Sequence, residues 1–356
     1  FLESYGAEMM LDIARFWASV AHFNPARERY EIHGVMGPDE FHEKYPGAQQ
    51  GGLANNAYTN VIVAWLCDIA AKLPSLLSAS SAEGLRARLS IGDEELALWQ
   101  DLGRRMFVPF HEDGIISQFE GWGDLEELDW DAYRAKYENV QRLDRILRAE
   151  GDDPNRYKIA KQADTVMLFF LFSDEELRAI FERLGYAHRP DTAARNVAYY
   201  DQRTSHGSTL SFVTYAGALA TIDPESSWDR FLVALRSDVD DIQGGTTKEG
   251  IHLGVMAGTL DLVQRHYAGA QIRDGVLYFD PRLPNGLGGL SFRMQFREVS
   301  ILVSLNSDLL TLDVQPEGAS HTIRAGIPGD VRGVRPGDRA VFKLSQGRAS
   351  QRPADE

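Results

Sequence analysis

Leu290-Ser-Phe-Arg-Met-Gln-Phe296, followed almost at once by Val299-Ser-Ile-Leu-Val303, is the stretch on which the fold class turns. Leu290, Phe292, Met294 and Phe296 alternate with polar side chains, and Val299, Ile301 and Val303 keep the same period. A period of two places one set of side chains on one face of a strand, so this is sheet with a single apolar face. Leu310 to Val314 and Ala340 to Leu344 extend the pattern, and 275–346 reads as a small all-β module. Upstream the spacing changes to threes and fours. Leu2, Met9, Ile13, Phe16, Trp17 and Val20 predict a helix over 2–22. Asn55-Asn56 opens a second, with an apolar stripe through Tyr58, Val61, Ile62, Trp65 and Ile69. Further helices are predicted over 93–106, 133–150, 161–172, 173–184, 208–221, 226–238 and 250–267, with Ser173 and Glu176 forming a capping box. Helices come first and strands last, so the chain is mainly α with a segregated β module.

The bulk numbers exclude several classes. At 356 residues the chain can form one large domain plus a smaller one. A net charge of −15 argues against nucleic-acid partners and against an anionic membrane surface, so any anionic substrate needs a local site. The single cysteine, Cys67, rules out an internal disulfide framework and fits a reducing, cytoplasmic compartment. It sits in the apolar run 61–71, where a buried structural thiol is expected. No uninterrupted run of about 18 apolar residues is found, so no membrane span is expected. The opening Phe1-Leu-Glu-Ser-Tyr is neither a start methionine nor a signal peptide, and the chain reads as a piece of something longer.

Four polar clusters carry the candidate chemistry. In Gly34-Val-Met-Gly-Pro-Asp-Glu-Phe-His42, Gly37-Pro38 cannot continue a helix, so Asp39, Glu40 and His42 are presented from a turn. Two carboxylates and an imidazole on a loop suit acid–base work; taken alone, a solvated turn fits equally well. Lys161-Gln162-Ala-Asp164 precedes the very apolar run 166–172, and its Lys and Gln can reach a hydroxylated ligand. Tyr199-Tyr-Asp-Gln-Arg-Thr-Ser-His-Gly-Ser-Thr209 and Gly244-Gly-Thr-Thr-Lys-Glu-Gly-Ile-His-Leu-Gly254 each set glycine and hydroxyls ahead of a helix. Such turns are often simple caps, but two of them with a histidine point to an oxyanion or phosphate cradle. His33, Asp39 and His42 match no structural zinc spacing, and no metal is expected. No phosphate-binding P-loop, dinucleotide fingerprint or serine nucleophile elbow is present.

Gly-Val-Met-Gly-Pro-Asp-Glu-Phe-His at 34–42 and Asn-Asn-Ala-Tyr-Thr-Asn at 55–60 resemble the inverting disaccharide phosphorylases of glycoside hydrolase family 65, which act on maltose, trehalose, kojibiose or nigerose. Lys161 to Asp164, Tyr199 to Asp201, Thr204 to Ser208 and Gly245 to Gly254 match in the same order. The resemblance implies part of an (α/α)6 barrel over 1–270, incomplete at its N-terminal side. A small antiparallel β-sandwich is implied over 271–346, and 347–356 is expected to be a disordered tail. It also implies roles. Glu40 resembles the general acid, and Lys161 and Gln162 resemble the residues holding glucose. Asp39, His42 and Asp201 fall among the family's substrate contacts. His206, Gly207, Ser208, Thr246 and Thr247 resemble the phosphate site. The polar insert Lys44-Tyr-Pro-Gly-Ala-Gln-Gln-Gly-Gly52 departs from maltose-type members, where a short loop borders the acceptor subsite. Acceptor identity is therefore open.

The implied reaction is phosphorolysis. Protonated Glu40 donates to the glycosidic oxygen while phosphate attacks the anomeric carbon from the opposite face, giving β-glucose 1-phosphate and a free sugar. An inverting hydrolase needs a second carboxylate to activate water, whereas phosphate is already a nucleophile and needs an anion cradle instead. No metal or organic cofactor is implied, inorganic phosphate being a co-substrate. The expected partners are the disaccharide, the missing N-terminal part of the same protein and, on the family's pattern, a second copy in a homodimer. A family 65 hydrolase and a non-catalytic carbohydrate-binding remnant are the two rival readings.

Overall fold

The computed structural model describes residues 1–318 and 321–344, and the tail over 347–356 lies outside the described residues. The chain divides into two compact units, residues 1–211 and 212 onward.

In the first unit the opening helix, Ala7–Val20, stops before the expected His22. Ala21–Asn24 instead pairs antiparallel with Arg29–Val35, aligning Ala21 with Ile32 and Phe23 with Tyr30. Those two rings pack with centroids 5.1 Å apart, and Pro25 in the turn prevents the helix from resuming. Leu53–Ala54 pairs with the other edge of Arg29–Val35. Residues 36–52, which include Glu40, are thus one excursion between adjacent strands of a three-stranded sheet.

Asn56 caps the helix Ala57–Leu76, its side chain accepting the Thr59 N–H at 2.9 Å. This helix buries Val61, Ala64, Cys67 and Ala70, while the expected stripe of Tyr58, Ile62, Trp65 and Ile69 is only half-buried. It is packed on more than one side. Among the described residues it is also the one helix long and apolar enough to cross a membrane. Reading uninterrupted runs missed it, because Asn60, Asp68 and Lys72 break the run without changing its average. Asp68 pairs with Arg183 of the helix Asp174–Leu184, which marks it as a core helix of this fold. Burial pushes the Cys67 thiol up to about 12, so it stays protonated and inert.

The capping box of Ser173 and Glu176 is present as expected. Gly92, rather than Asp93, caps Asp93–Arg105. The single helix expected over 133–150 is two, Trp130–Lys136 and Leu143–Ala149, with polar 137–142 between them. Ala79–Leu89 and Thr192–Asp201 are additional helices that the sequence did not announce.

In the second unit, Pro224–Arg236 is capped by Asp223, and Leu253–Asp261 begins three residues later than Gly250. Two four-stranded sheets follow. One is wholly antiparallel, in the order Arg339–Lys343, Leu309–Gly318, Val299–Asn306, Gly289–Phe296. Phe292 faces Val303 and Met294 faces Ile301, as the alternation requires. The other sheet orders Asp330–Val334, Ile323–Ile327, Val276–Phe279 and Ala270–Arg273. There the sandwich departs from the antiparallel expectation, because Ile323–Ile327 runs parallel to Val276–Phe279. The chain between them passes through the first sheet, which is long enough for a parallel crossover. One core holds both sheets together, with Leu277, Phe279, Ile301, Val303, Leu312, Ala325 and Phe342 almost wholly buried.

Candidate active site

Glu40 occupies the left-handed region, at φ 65°, a strained conformation for a residue with a side chain. Its side chain is 60% exposed, and its Oε2 lies 2.8 Å from the Lys161 Nζ. The residue before it is the reverse. Asp39 is 3% exposed, and its Oδ1 accepts the backbone N–H of Lys161 at 2.5 Å and of Gln162 at 3.3 Å. Its Oδ2 accepts from Gln118 Nε2 at 3.3 Å and lies 3.3 Å from His42 Nδ1. His42 donates from Nε2 to the Tyr157 carbonyl at 2.9 Å, its ring packed between Phe119 and Trp122. Asp39 and His42 therefore brace the turn from beneath, and Glu40 alone of the three faces outward.

Lys161 and Gln162 reach this turn from the other side. Gln162 Nε2 donates to the Pro38 carbonyl at 3.0 Å, while its Oε1 is buried with no hydrogen-bond partner among the described residues. A buried amide oxygen without a donor is uncommon in a folded protein. The backbone around Lys161 is stitched to the histidine cluster. Ala160 N–H donates to the Arg203 carbonyl, Ser205 N–H to the Ala160 carbonyl, both at 2.8 Å, and Gly207 N–H to the Lys161 carbonyl at 3.1 Å. A Cβ on Gly207 would stand 2.3 Å from the Gln141 carbonyl oxygen, so only glycine permits this approach. His206, at φ 52°, has Nδ1 2.8 Å from Ser211 Oγ and Nε2 3.7 Å from Asp201 Oδ1. Ser208 precedes the helix Thr209–Leu219, and its hydroxyl makes no hydrogen bond among the described residues.

Thr246 and Thr247 belong to the second unit. Gly244 and Gly245 take positive φ, and Thr246–Glu249 is a short 3-10 turn ahead of the helix Leu253–Asp261. Thr247 donates its N–H to Asp241 Oδ1 at 3.2 Å and its hydroxyl to the Asp238 carbonyl at 3.3 Å. Asp238 accepts the His252 N–H at 2.9 Å and lies 2.5 Å from its Nδ1; this imidazole holds the carboxyl below its ordinary range. The Thr246 hydroxyl makes no hydrogen bond among the described residues. Among those residues, no three His, Cys, Asp or Glu side chains are grouped as metal ligands would be.

The insert after His42 is anchored at both ends. Asn155 Oδ1 accepts the N–H groups of Glu43 and Lys44 at 3.0 and 3.2 Å. Tyr45 donates to the Glu120 carbonyl at 2.9 Å and accepts the Ala54 N–H at 3.1 Å. Gly52 N–H donates to the Glu43 carbonyl at 2.7 Å. Asn155, Tyr45 and Gln118 were not among the expected site residues. The first two support the insert and the third supports Asp39, and only the quoted insert hinted at any of them.

Residues 1–261 match the glycosyl hydrolase family 65 central catalytic domain, and residues 270–330 match the family's C-terminal domain. An uncharacterized glycosyl hydrolase of Mycobacterium tuberculosis is 46% identical over 339 residues, covering 95% of this chain and 25% of that protein. A trehalose 6-phosphate phosphorylase of Lactococcus lactis is 38% identical over 309 residues, covering 86% of this chain and 38% of the enzyme. A solved human-microbiome protein assigned as a kojibiose phosphorylase shares the fold, with a TM-score of 0.75 and 22% identity over 97% of this chain and 44% of that one. The chain spans 25% and 38% of the length of these two curated relatives. On the match of its helical part and of its β module, the chain belongs to glycosyl hydrolase family 65.

Proposed function

We propose that this chain is the acid-bearing part of an inverting phosphorylase that cleaves an α-linked glucose disaccharide with inorganic phosphate. Glu40 acts as general acid toward the glycosidic oxygen. Lys161, Gln162 and Asp201 hold the glucose, and Asp39 and His42 contribute from under the turn. For the phosphate, the first unit offers His206, Gly207 and Ser208, and the second unit offers Thr246 and Thr247. The products are β-glucose 1-phosphate and a free sugar.

The observation that supports this most is the asymmetry of carboxylates around the turn. Glu40 is exposed, while the nearby Asp39 is buried under backbone donors and cannot activate water from that position. A nucleophile that needs no base suits such a site. The hydrolase alternative rests on Asp201, whose side chain is 37% exposed beside His206 and would have to serve as the base.

Phe1 and Tyr5 just before the first helix, and Met9 and Phe16 within it, are more than half exposed. An apolar stripe of that kind fits coverage by the rest of a longer protein or by a second copy. The deciding experiment uses the full-length protein with trehalose 6-phosphate, trehalose, kojibiose and maltose, each with and without phosphate. Phosphate-dependent β-glucose 1-phosphate supports the proposal. Glucose release in phosphate-free buffer at the same rate overturns it in favour of hydrolysis.

A further inference from the structure

Beneath the Glu40 turn lies a carboxyl that the reaction does not use. Asp164, the first residue of the helix Asp164–Leu171, is 1% exposed. Its Oδ2 accepts from Asn56 Nδ2 at 2.8 Å, while its Oδ1 is buried with no partner among the described residues. Its own N–H donates to Gln118 Oε1 at 2.6 Å, and Gln118 in turn donates to Asp39. The pair is pressed against the turn itself. A Cβ on Gly37 would stand 1.8 Å from Asp164 Oδ2 and 2.4 Å from Asn56 Nδ2. The strained φ of Glu40 comes three residues later, so something must hold the turn against relaxing, and this seat is in place to do it.

We propose that Asp164 is a positioning residue for Glu40: its buried carboxyl, seated with Asn56 against Gly37, fixes the turn that presents the acid. The carboxyl is uncharged in this role. Burial first, and the charge of Asp39 second, push it well above the ordinary carboxylate range. Tyr58 also faces it, and His42 and Lys161 reach it only through Asp39. An unpaired charge on Oδ1 would be left without a donor, whereas a neutral acid is tolerated there.

The proposal rests on Glu40 being the general acid, and the test separates the two. In the full-length protein, Asp164→Ala, Asp164→Asn, Gly37→Ala and Glu40→Gln are assayed on two substrates. One is whichever of trehalose 6-phosphate, trehalose, kojibiose and maltose the parent turns over best. The other is α-glucosyl fluoride, whose leaving group needs no proton. Glu40→Gln should lose about 10²–10⁴-fold on the disaccharide and far less on the fluoride. Asp164→Ala and Gly37→Ala should show the same selectivity with a smaller loss of about tenfold, and Asp164→Asn should stay near the parent. Equal losses on both substrates for Asp164→Ala and Gly37→Ala, or no loss, overturn the positioning role while leaving Glu40 as acid. A Glu40→Gln enzyme without the selectivity overturns the acid itself.

A second readout needs no activity. An unfolded Asp ionises near about pH 3.9 and the folded one much higher, so the native state holds an extra proton between and loses stability as pH rises. Asp164→Asn removes that loss. Its Tm should exceed the parent's near about pH 8, and the gain should fade toward about pH 4. A lower Tm for Asp164→Asn at the alkaline end overturns the uncharged state.

Discussion

Two turns of nearly the same composition, Thr204 to Thr209 in the first unit and Gly244 to Thr247 in the second, settle their polar groups in different ways. In the first, backbone groups are committed across the chain. Ser205 and Gly207 donate to Ala160 and Lys161, so the histidine cluster is tied to the lysine that contacts Glu40. In the second, they are committed within the turn's own neighbourhood, with Thr247 bound to Asp241 and Asp238. Glycine and hydroxyls therefore specify a turn rich in donors but not where those donors go. Ser208 in the first and Thr246 in the second each keep a hydroxyl with no hydrogen bond among the described residues, and these carry the phosphate proposal.

The largest effect expected concerns the first unit alone. Glu40→Gln keeps the shape of the side chain and removes the transferable proton, so turnover of the disaccharide should fall by about 10²–10⁴-fold with substrate binding nearly intact. Steady-state kinetics on the full-length protein checks this. An enzyme with the parent's kcat would show that the exposed carboxylate beside Lys161 is only a surface ion pair.

The units should also differ in how acid and alkali weaken them. Asp164 is a buried acid whose ionisation is opposed first by burial and then by Asp39, which costs stability as pH rises. His266 of the second unit is a buried base, pushed down to about 4 by burial, with Arg265 adding to the effect. Its folded value is below the ordinary 6.5, so its contribution is fully present above pH 6.5 and is lost as pH falls toward and through 4. The sum is on the order of 3 kcal/mol, at about 1.36 kcal/mol per unit. His266→Gln should flatten the fall in Tm over that acidic window, measured by calorimetry. An unchanged slope would show that the acid limb arises elsewhere.

The comparison of hydroxyls gives a finer test. Ser208→Ala and Thr246→Ala should each raise the KM for phosphate more than that for the disaccharide, by about 0.5–1.5 kcal/mol, rising to roughly 3 if the partner is charged. Thr247→Ala removes a hydroxyl already donated to Asp238, so it should lower Tm and raise the phosphate KM less than Thr246→Ala does. If Thr247→Ala behaves like Thr246→Ala in the kinetics, the distinction between engaged and unengaged donors fails.

Much of this arrangement was legible in the sequence, for identifiable reasons. The alternation of 290–303 became two paired strands, because a half-buried sheet imposes a period of two that no helix satisfies. The cap at Asn56 and the capping box at Ser173 were legible because they are local. The end of the first helix was not, since Ala21–Asn24 is a strand only because Arg29–Val35 pairs with it. The parallel pairing of Ile323–Ile327 with Val276–Phe279 was missed for the same reason. At the site, the polar clusters of the sequence put forward Glu40, Lys161 and His206 as candidates, while Gln118 carried no local signal: its contacts exist only where two distant segments meet.

The smallest effect expected is on the insert, and here the anchors decide which variant is informative. Removing Tyr45 to Gly52 entire would also remove the hydroxyl that bridges Glu120 and Ala54 and the Gly52 bond to Glu43. Such a deletion would disturb the strand Leu53–Ala54 and, through it, the whole excursion that carries Glu40. Shortening only the exposed tip, Pro46 to Gln50, leaves both anchors in place. Closing the loop with fewer residues changes its entropy by only about half a kcal/mol, so the fold should be indifferent. A polar, glycine-bearing lip following the acid is nonetheless positioned to meet the leaving sugar. In the synthetic direction, from β-glucose 1-phosphate, the shortened enzyme should therefore change its ranking of acceptor sugars while its phosphate KM stays put. Tyr45→Phe is the contrast: it should lower Tm by the equivalent of about 1 kcal/mol and leave the ranking alone. Identical acceptor rankings for the shortened and parent enzymes would confine the insert to a structural role, and a shifted phosphate KM would place its tip on the wrong side of the sugar.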